Sequence, residues 1–117
     1  EYLFGGCTKS KCAICDRNYP NLIMVAGHIK KRSLSSDMER RNIKNVMPIC
    51  KMGCDDLFER GYIYIDKKGF IRRNDKKEVT SDLNRYLSGI VDKKSWYFDK
   101  NNAVFFKQHR SLFQDKE

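Results

Sequence analysis

The chain has 117 residues, 40% hydrophobic and 33% charged, enough for one ordinary core with little room for a second. Its 24 Lys+Arg against 15 Asp+Glu leave a net charge of +9, which points to an anionic partner, nucleic acid being the commonest. The longest apolar run, Leu22 to Ala26, cannot span a bilayer, and no basic-then-apolar stretch marks a secretory signal. Beginning at Glu1 without a methionine, the sequence reads as a fragment of a longer protein.

The first feature in chain order is a tight cysteine pair, Cys12-Ala-Ile-Cys15, leading into a turn at Asn18-Tyr19-Pro20-Asn21. The apolar stretch Leu22 to His28 predicts a strand, and Ser33 to Lys44 predicts a polar loop with a helical turn near Asp37 to Arg41. Residues 30–44 concentrate the positive charge: Lys30, Lys31, Arg32, Arg40, Arg41 and Lys44 stand against only Asp37 and Glu39. Val46 to Ile49 is a second short apolar run, ending at Cys50-Lys-Met-Gly-Cys54. Asp55 to Arg60 predicts a short helix with acids at its N-terminus and Gly61 as its stop.

A hairpin follows, Tyr62 to Asp66 and Phe70 to Arg73, turning through Lys67-Lys68-Gly69. Thr80 or Ser81 can cap a helix whose apolar positions Leu83, Tyr86, Leu87 and Ile90 fall at helical spacing. A last helix is predicted over 102–114, with His109 among its packing residues. The adjacent aromatics Trp96, Tyr97 and Phe98 suit a hydrophobic anchor better than a stacking platform for bases.

Four of the five cysteines therefore form two knuckles. Thiols paired at that spacing deliver two sulfurs to one ion from a single turn, whereas a secreted disulfide framework favours an even count spread over loops. Cys12, Cys15, Cys50 and Cys54 are the expected ligands of a structural Zn2+ in a reduced, intracellular (cytoplasmic) chain, the alternatives being free buried thiols or disulfides. Cys7 is left over and reads as a free thiol.

Between the knuckles stand Ala26-Gly27-His28-Ile29-Lys30-Lys31-Arg32-Ser33 and, five residues before Cys50, Asn45. Asp55 directly follows the second pair. From Cys12 to Ile65 the sequence resembles the His-Asn-His (HNH) endonuclease family, and more narrowly the HNH domains of restriction-type enzymes. The strings AGHIKKRS and NVMPICKMGCDDLFERGYIYIDKKGFI carry the resemblance.

It implies an α+β fold: a zinc-stapled ββα-metal core over about 7–73, with a β-hairpin, and further C-terminal helices over about 79–115, in one domain. It also implies roles. His28 takes the place of the general base, Asn45 that of the asparagine orienting that histidine or its loop, and Asp55 that of the last metal-binding residue. The catalytic ion would be Mg2+ or Mn2+, which suit a hard carboxylate oxygen. In such an enzyme Lys30, Lys31, Arg32 and Arg60 would contact phosphates.

Two positions depart from the family pattern. An acidic residue often precedes the first histidine as a second metal ligand, and here it is Gly27; the last histidine is Asp55. Asp56, Asp37 or a phosphate oxygen could complete the metal shell. The expectation is a metal-dependent endonuclease cutting double-stranded DNA, the cleavage domain of a restriction-type enzyme, with specificity supplied by another domain or by homodimerisation. The alternatives are a non-catalytic zinc-stabilised nucleic-acid-binding module and a zinc-stabilised protein-interaction domain, which would leave the basic loop without a purpose.

Overall fold

Short elements dominate the computed structural model, which describes residues 8–113 and is of mixed α+β class. Its strands form three antiparallel two-stranded sheets. The first joins β1 (Lys9–Lys11) to β2 (Asn18–Pro20), with Lys9 opposite Pro20 and Lys11 opposite Asn18. Sequence reasoning assigned residues 18–21 to a turn, because KSK and NYP lack the apolar alternation that announces a strand. The tertiary turn between them supplies the pairing instead. Cys12 N–H donates to Arg17 O at 2.9 Å, Asp16 N–H to Cys12 O at 3.1 Å, and Asp16 takes a φ of 66°.

The second sheet pairs β3 (Met24–His28) with β4 (Val46–Cys50), running from Met24 opposite Cys50 to His28 opposite Val46. The expected strand thus starts two residues late. Asn21–Ile23 is a 3-10 turn that leaves Leu22 facing solvent. Between β3 and β4 the chain makes a compact insert: a 3-10 turn at Arg32–Leu34, helix α1 (Asp37–Arg41) and a 3-10 turn at Ile43–Asn45. Five residues are too few for a self-sustaining helix. A capping box starts α1, in which Ser36 Oγ accepts from Glu39 N–H at 3.2 Å and Glu39 Oε1 from Ser36 N–H at 2.8 Å.

Helix α2 (Cys54–Glu59) follows β4, and Gly61, at φ 80°, ends it as the sequence predicts. The third sheet, β5 (Ile63–Ile65) and β6 (Ile71–Arg73), is the expected hairpin, with Gly69 at φ 93° in its turn. Helix α3 (Ser81–Ser88) is capped by Thr80, whose Oγ1 accepts from Leu83 N–H at 3.2 Å; Ile90 is buried just beyond its end. Helix α4 (Ala103–Arg110) is shorter than the expected 102–114, since residues 111–113 are a turn and Gln114 lies outside the described residues.

The core is built from Ile29, Met47, Ile49, Phe58, Ile63, Ile65, Ile71, Leu87 and Phe106, all essentially without exposed surface. Each such side chain contributes about 1.5–3 kcal/mol by leaving water. Helix α4 closes this core over α2 and β5. His109 stacks on Phe58 with ring centres 3.7 Å apart, its Nε2–H donates to Phe58 O at 2.8 Å, and Arg110 Nη1 donates to Ile65 O at 3.1 Å. His109 is thus the packing residue its place among aromatics suggested. No helix among the described residues is long and apolar enough to cross a membrane.

Candidate metal centre and active site

The two cysteine pairs meet. Cys12 and Cys15 come from the β1–β2 knuckle, Cys50 ends β4 and Cys54 opens α2, and their four sulfurs lie within 4.8 Å of one another. Cys15 Sγ is 4.0 Å from Cys50 Sγ. A disulfide needs about 2.05 Å, whereas the edges of a tetrahedron of thiolates about 2.3 Å from a common ion are about 3.8 Å. Four buried soft donors at this spacing could hold a metal ion such as zinc.

The cluster's protons are unequally held. Hydrogen bonds from Cys12, then Cys15 and Cys54, push the Cys50 thiol far down, and those from Cys12, Cys15 and Cys50 push Cys54 up. Cys12 is lowered to about 7, chiefly by its bond with Cys15. Backbone amides add to this, since Ile14 N–H and Cys15 N–H point at Cys12 Sγ from 3.4 and 3.5 Å. Cys7 lies outside the described residues.

A feature that sequence reasoning missed lies around this cluster. The segment after α3 straps the knuckle down: Ser95 Oγ donates to Ala13 O at 2.7 Å and Trp96 Nε1 to Cys12 O at 3.0 Å. Tyr97 Oη donates to Val46 O at 2.8 Å, and Tyr86 Oη is 3.4 Å from Cys54 Sγ. Burial, reinforced by the Cys54 sulfur, pushes the Tyr86 hydroxyl pKa well up, so it stays a donor. Trp96, 49% exposed, and Tyr97 anchor the segment by hydrogen bonds to the knuckle and β4, so Trp96 is not the hydrophobic anchor its sequence context suggested.

At the other end of β3 the insert is organised by one side chain. Asn45 has no exposed surface; its Oδ1 accepts from Lys30 N–H at 2.8 Å, and its Nδ2 donates to Glu39 O at 3.1 Å and approaches Ser35 Oγ at 3.5 Å. The next carbonyl along, Arg40 O, is 3.2 Å from His28 Nε2. Asn45 and His28 are therefore linked through two consecutive peptide carbonyls of α1. The asparagine fixes the loop, and the loop fixes the ring.

Asp55 reaches the same strand from α2. A Cβ on Gly27 would lie 3.5 Å from Asp55 Oδ1 and 3.0 Å from Ile49 Cγ2, so the carboxylate stands over the residue preceding His28. Burial first, then the charges of Asp56 and Glu59, raise the Asp55 pKa. Asp56 and Asp37, the other acids considered for a metal shell, pair with Arg60 at 3.8 Å and Arg40 at 3.1 Å.

The four basic residues expected to contact phosphate are not equivalent. Lys30 Nζ is held by Glu39 at 2.9 Å, Lys31 Nζ lies 3.5 Å from Glu59, and Arg60 is the exposed partner of Asp56. Arg32 is exposed and enters no ion pair among the described residues. No protein-family model matches this chain, and no curated protein matches it in sequence.

Proposed function

We propose that this chain is a metal-dependent endonuclease domain of the ββα-metal (HNH) type that hydrolyses DNA phosphodiester bonds. The observation that carries the reading is the seating of His28 against Arg40 O. A carbonyl oxygen can only accept, so Nε2 carries a proton, which in the neutral ring leaves the lone pair on Nδ1. A neutral imidazole held in that tautomer is equipped to take a proton from a water attacking phosphorus. Asn45, through Glu39 O, holds the peptide that precedes the one orienting the ring.

The buried cysteine cluster is read as a structural zinc site, because four protein sulfurs close the shell and leave no position for substrate. Asp55 would hold a catalytic Mg2+ or Mn2+; its hard oxygen donor fits such an ion, and its raised pKa reflects an acidic, partly desolvated setting that a cation relieves. When bound, that ion neutralises charge developing on the phosphate and its leaving oxygen. Likeness to restriction-type HNH domains supports a cleavage module whose specificity comes from another domain or from dimerisation.

Plasmid cleavage in Mg2+ or Mn2+ tests this, run beside His28→Ala and with EDTA. The expected result is metal-dependent nicking that falls by about 10²–10⁴-fold in the variant. Undiminished cutting by His28→Ala would refute the assignment. Gly27 favours one second reading: with glycine where an acid would stand ahead of His28, the fold could serve as a non-catalytic binding module. That reading predicts salt-sensitive DNA binding without cutting by the unsubstituted protein.

A further inference from the structure

The basic insert between β3 and β4 divides into cations that are spent inside the protein and cations that are not. Lys30 Nζ bonds both oxygens of Glu39, at 2.9 and 3.1 Å, with the two side chains only 20% and 27% exposed. Arg40 pairs with Asp37 at 3.1 Å and donates from Nε to Arg32 O at 3.0 Å. Lys31 leaves the insert altogether: its Nζ lies 3.5 Å from Glu59 of α2 and 5.6 Å from the centre of the Phe113 ring. Both acids of the insert are consumed by these pairs. Arg32, Arg41 and Lys44 remain, all exposed and in no ion pair among the described residues.

Their backbone positions are tied to His28 through its neighbours. Arg41 directly follows the carbonyl that receives His28 Nε2. Lys44 is two residues from Val46, the strand partner of His28, and is fixed by its N–H donating to Asn42 Oδ1 at 2.9 Å. Arg32 opens the 3-10 turn four residues after His28, its carbonyl tied to Arg40. Three uncompensated charges, on α1 and on the two 3-10 turns that flank it, form a basic face of the insert that carries His28's partner carbonyl and suits regularly spaced anions.

We propose that Arg32, Arg41 and Lys44 bind the phosphate backbone of duplex DNA, while Lys30 and Lys31 anchor the insert and touch no phosphate. The choice of DNA rests on the nuclease reading; the division of the cations rests on the ion pairs alone. Each lost phosphate contact lowers the slope of log affinity against log salt by about 0.9.

The test measures duplex-DNA binding against salt concentration in the His28→Ala background without divalent metal, so the outcome does not depend on cutting. Arg32→Gln/Arg41→Gln/Lys44→Gln should lower the slope by about 2.7, and each single change by about 0.9. Lys30→Gln/Lys31→Gln should leave the slope where it was. An unchanged slope in the triple variant, with its melting temperature intact, would overturn the proposal. So would an equal fall in the lysine variant, or equal competition by duplex RNA of the same sequence.

Discussion

Replacing Asn45 with alanine should loosen the insert without unfolding the protein. The change removes the acceptor for Lys30 N–H at 2.8 Å and the donor to Glu39 O at 3.1 Å, while the 3.5 Å approach to Ser35 Oγ contributes little. An unpaired buried polar group costs about 1–3 kcal/mol, and Lys30 and Glu39 are only partly buried. Two such groups at the lower half of that range give a loss of about 2–4 kcal/mol. The backbone bonds Ile29 N–H to Asn45 O and Asn45 N–H to Asn42 O do not need the side chain, so the β3–β4 hairpin should persist. In a domain of this size 1 kcal/mol moves the melting temperature by about 4 °C, giving a fall of about 8–16 °C. Thermal denaturation reads the total, and hydrogen exchange at the Lys30 amide locates it. Asn45→Asp should cost no less: it keeps an acceptor for Lys30 but turns an anionic oxygen toward Glu39 O. A variant melting within about 1 °C of the parent, with unchanged Lys30 exchange, would refute the clasp.

Two further outcomes are expected. Removing metal with a strong chelator, or replacing Cys50 with serine, should release about one equivalent of zinc and lower the melting temperature by more than 10 °C; a metal-free chain melting at the same temperature would show that the sulfurs need no ion. Burial, with Lys31 and Arg110 adding to it, lowers the His109 pKa to about 4 from an ordinary 6.5, so the unfolded chain binds more protons between those values. Stability from this group is complete above about pH 6.5 and falls by up to about 3 kcal/mol as the pH drops to about 4. Denaturant titrations of His109→Phe should show a shallower acid loss over that window; an identical slope would mean His109 is protonated at little cost.

What could be read from the sequence was local. The β5–β6 hairpin announced itself through alternating apolar residues and Gly69, the Thr80 cap and Gly61 stop marked helix ends, and the spacing of the two cysteine pairs anticipated their convergence. The polar strands β1 and β2 stayed hidden because the intervening knuckle, not their own residues, pairs them. The Ser95-Trp96-Tyr97 strap was invisible for a different reason: its partners are the carbonyls of Cys12, Ala13 and Val46, and carbonyls have no sequence signature. The charge of Lys30 and Lys31 beside His28 could be read from the sequence, but not its pairing. Only the folded chain brings Glu39 and Glu59 to them.

The shortness of the elements explains why a site here needs so much support from outside it. A six-residue helix has little stability of its own, and two five-residue strands make a hairpin that is marginal alone. Cys54 and Asp55 are adjacent, so the cluster that seizes Cys54 also fixes the first turn of α2 and with it the carboxylate over Gly27. Tyr86 from α3 reaches Cys54, and His109 from α4 grips Phe58 at the far end of the same helix. The C-terminal third carries none of the candidate catalytic residues, yet it holds both ends of the helix on which Asp55 stands. Loosening either grip should therefore displace Asp55 while leaving the His28–Asn45 clasp intact, since that clasp is closed entirely within the β3–β4 insert and its flanking strands.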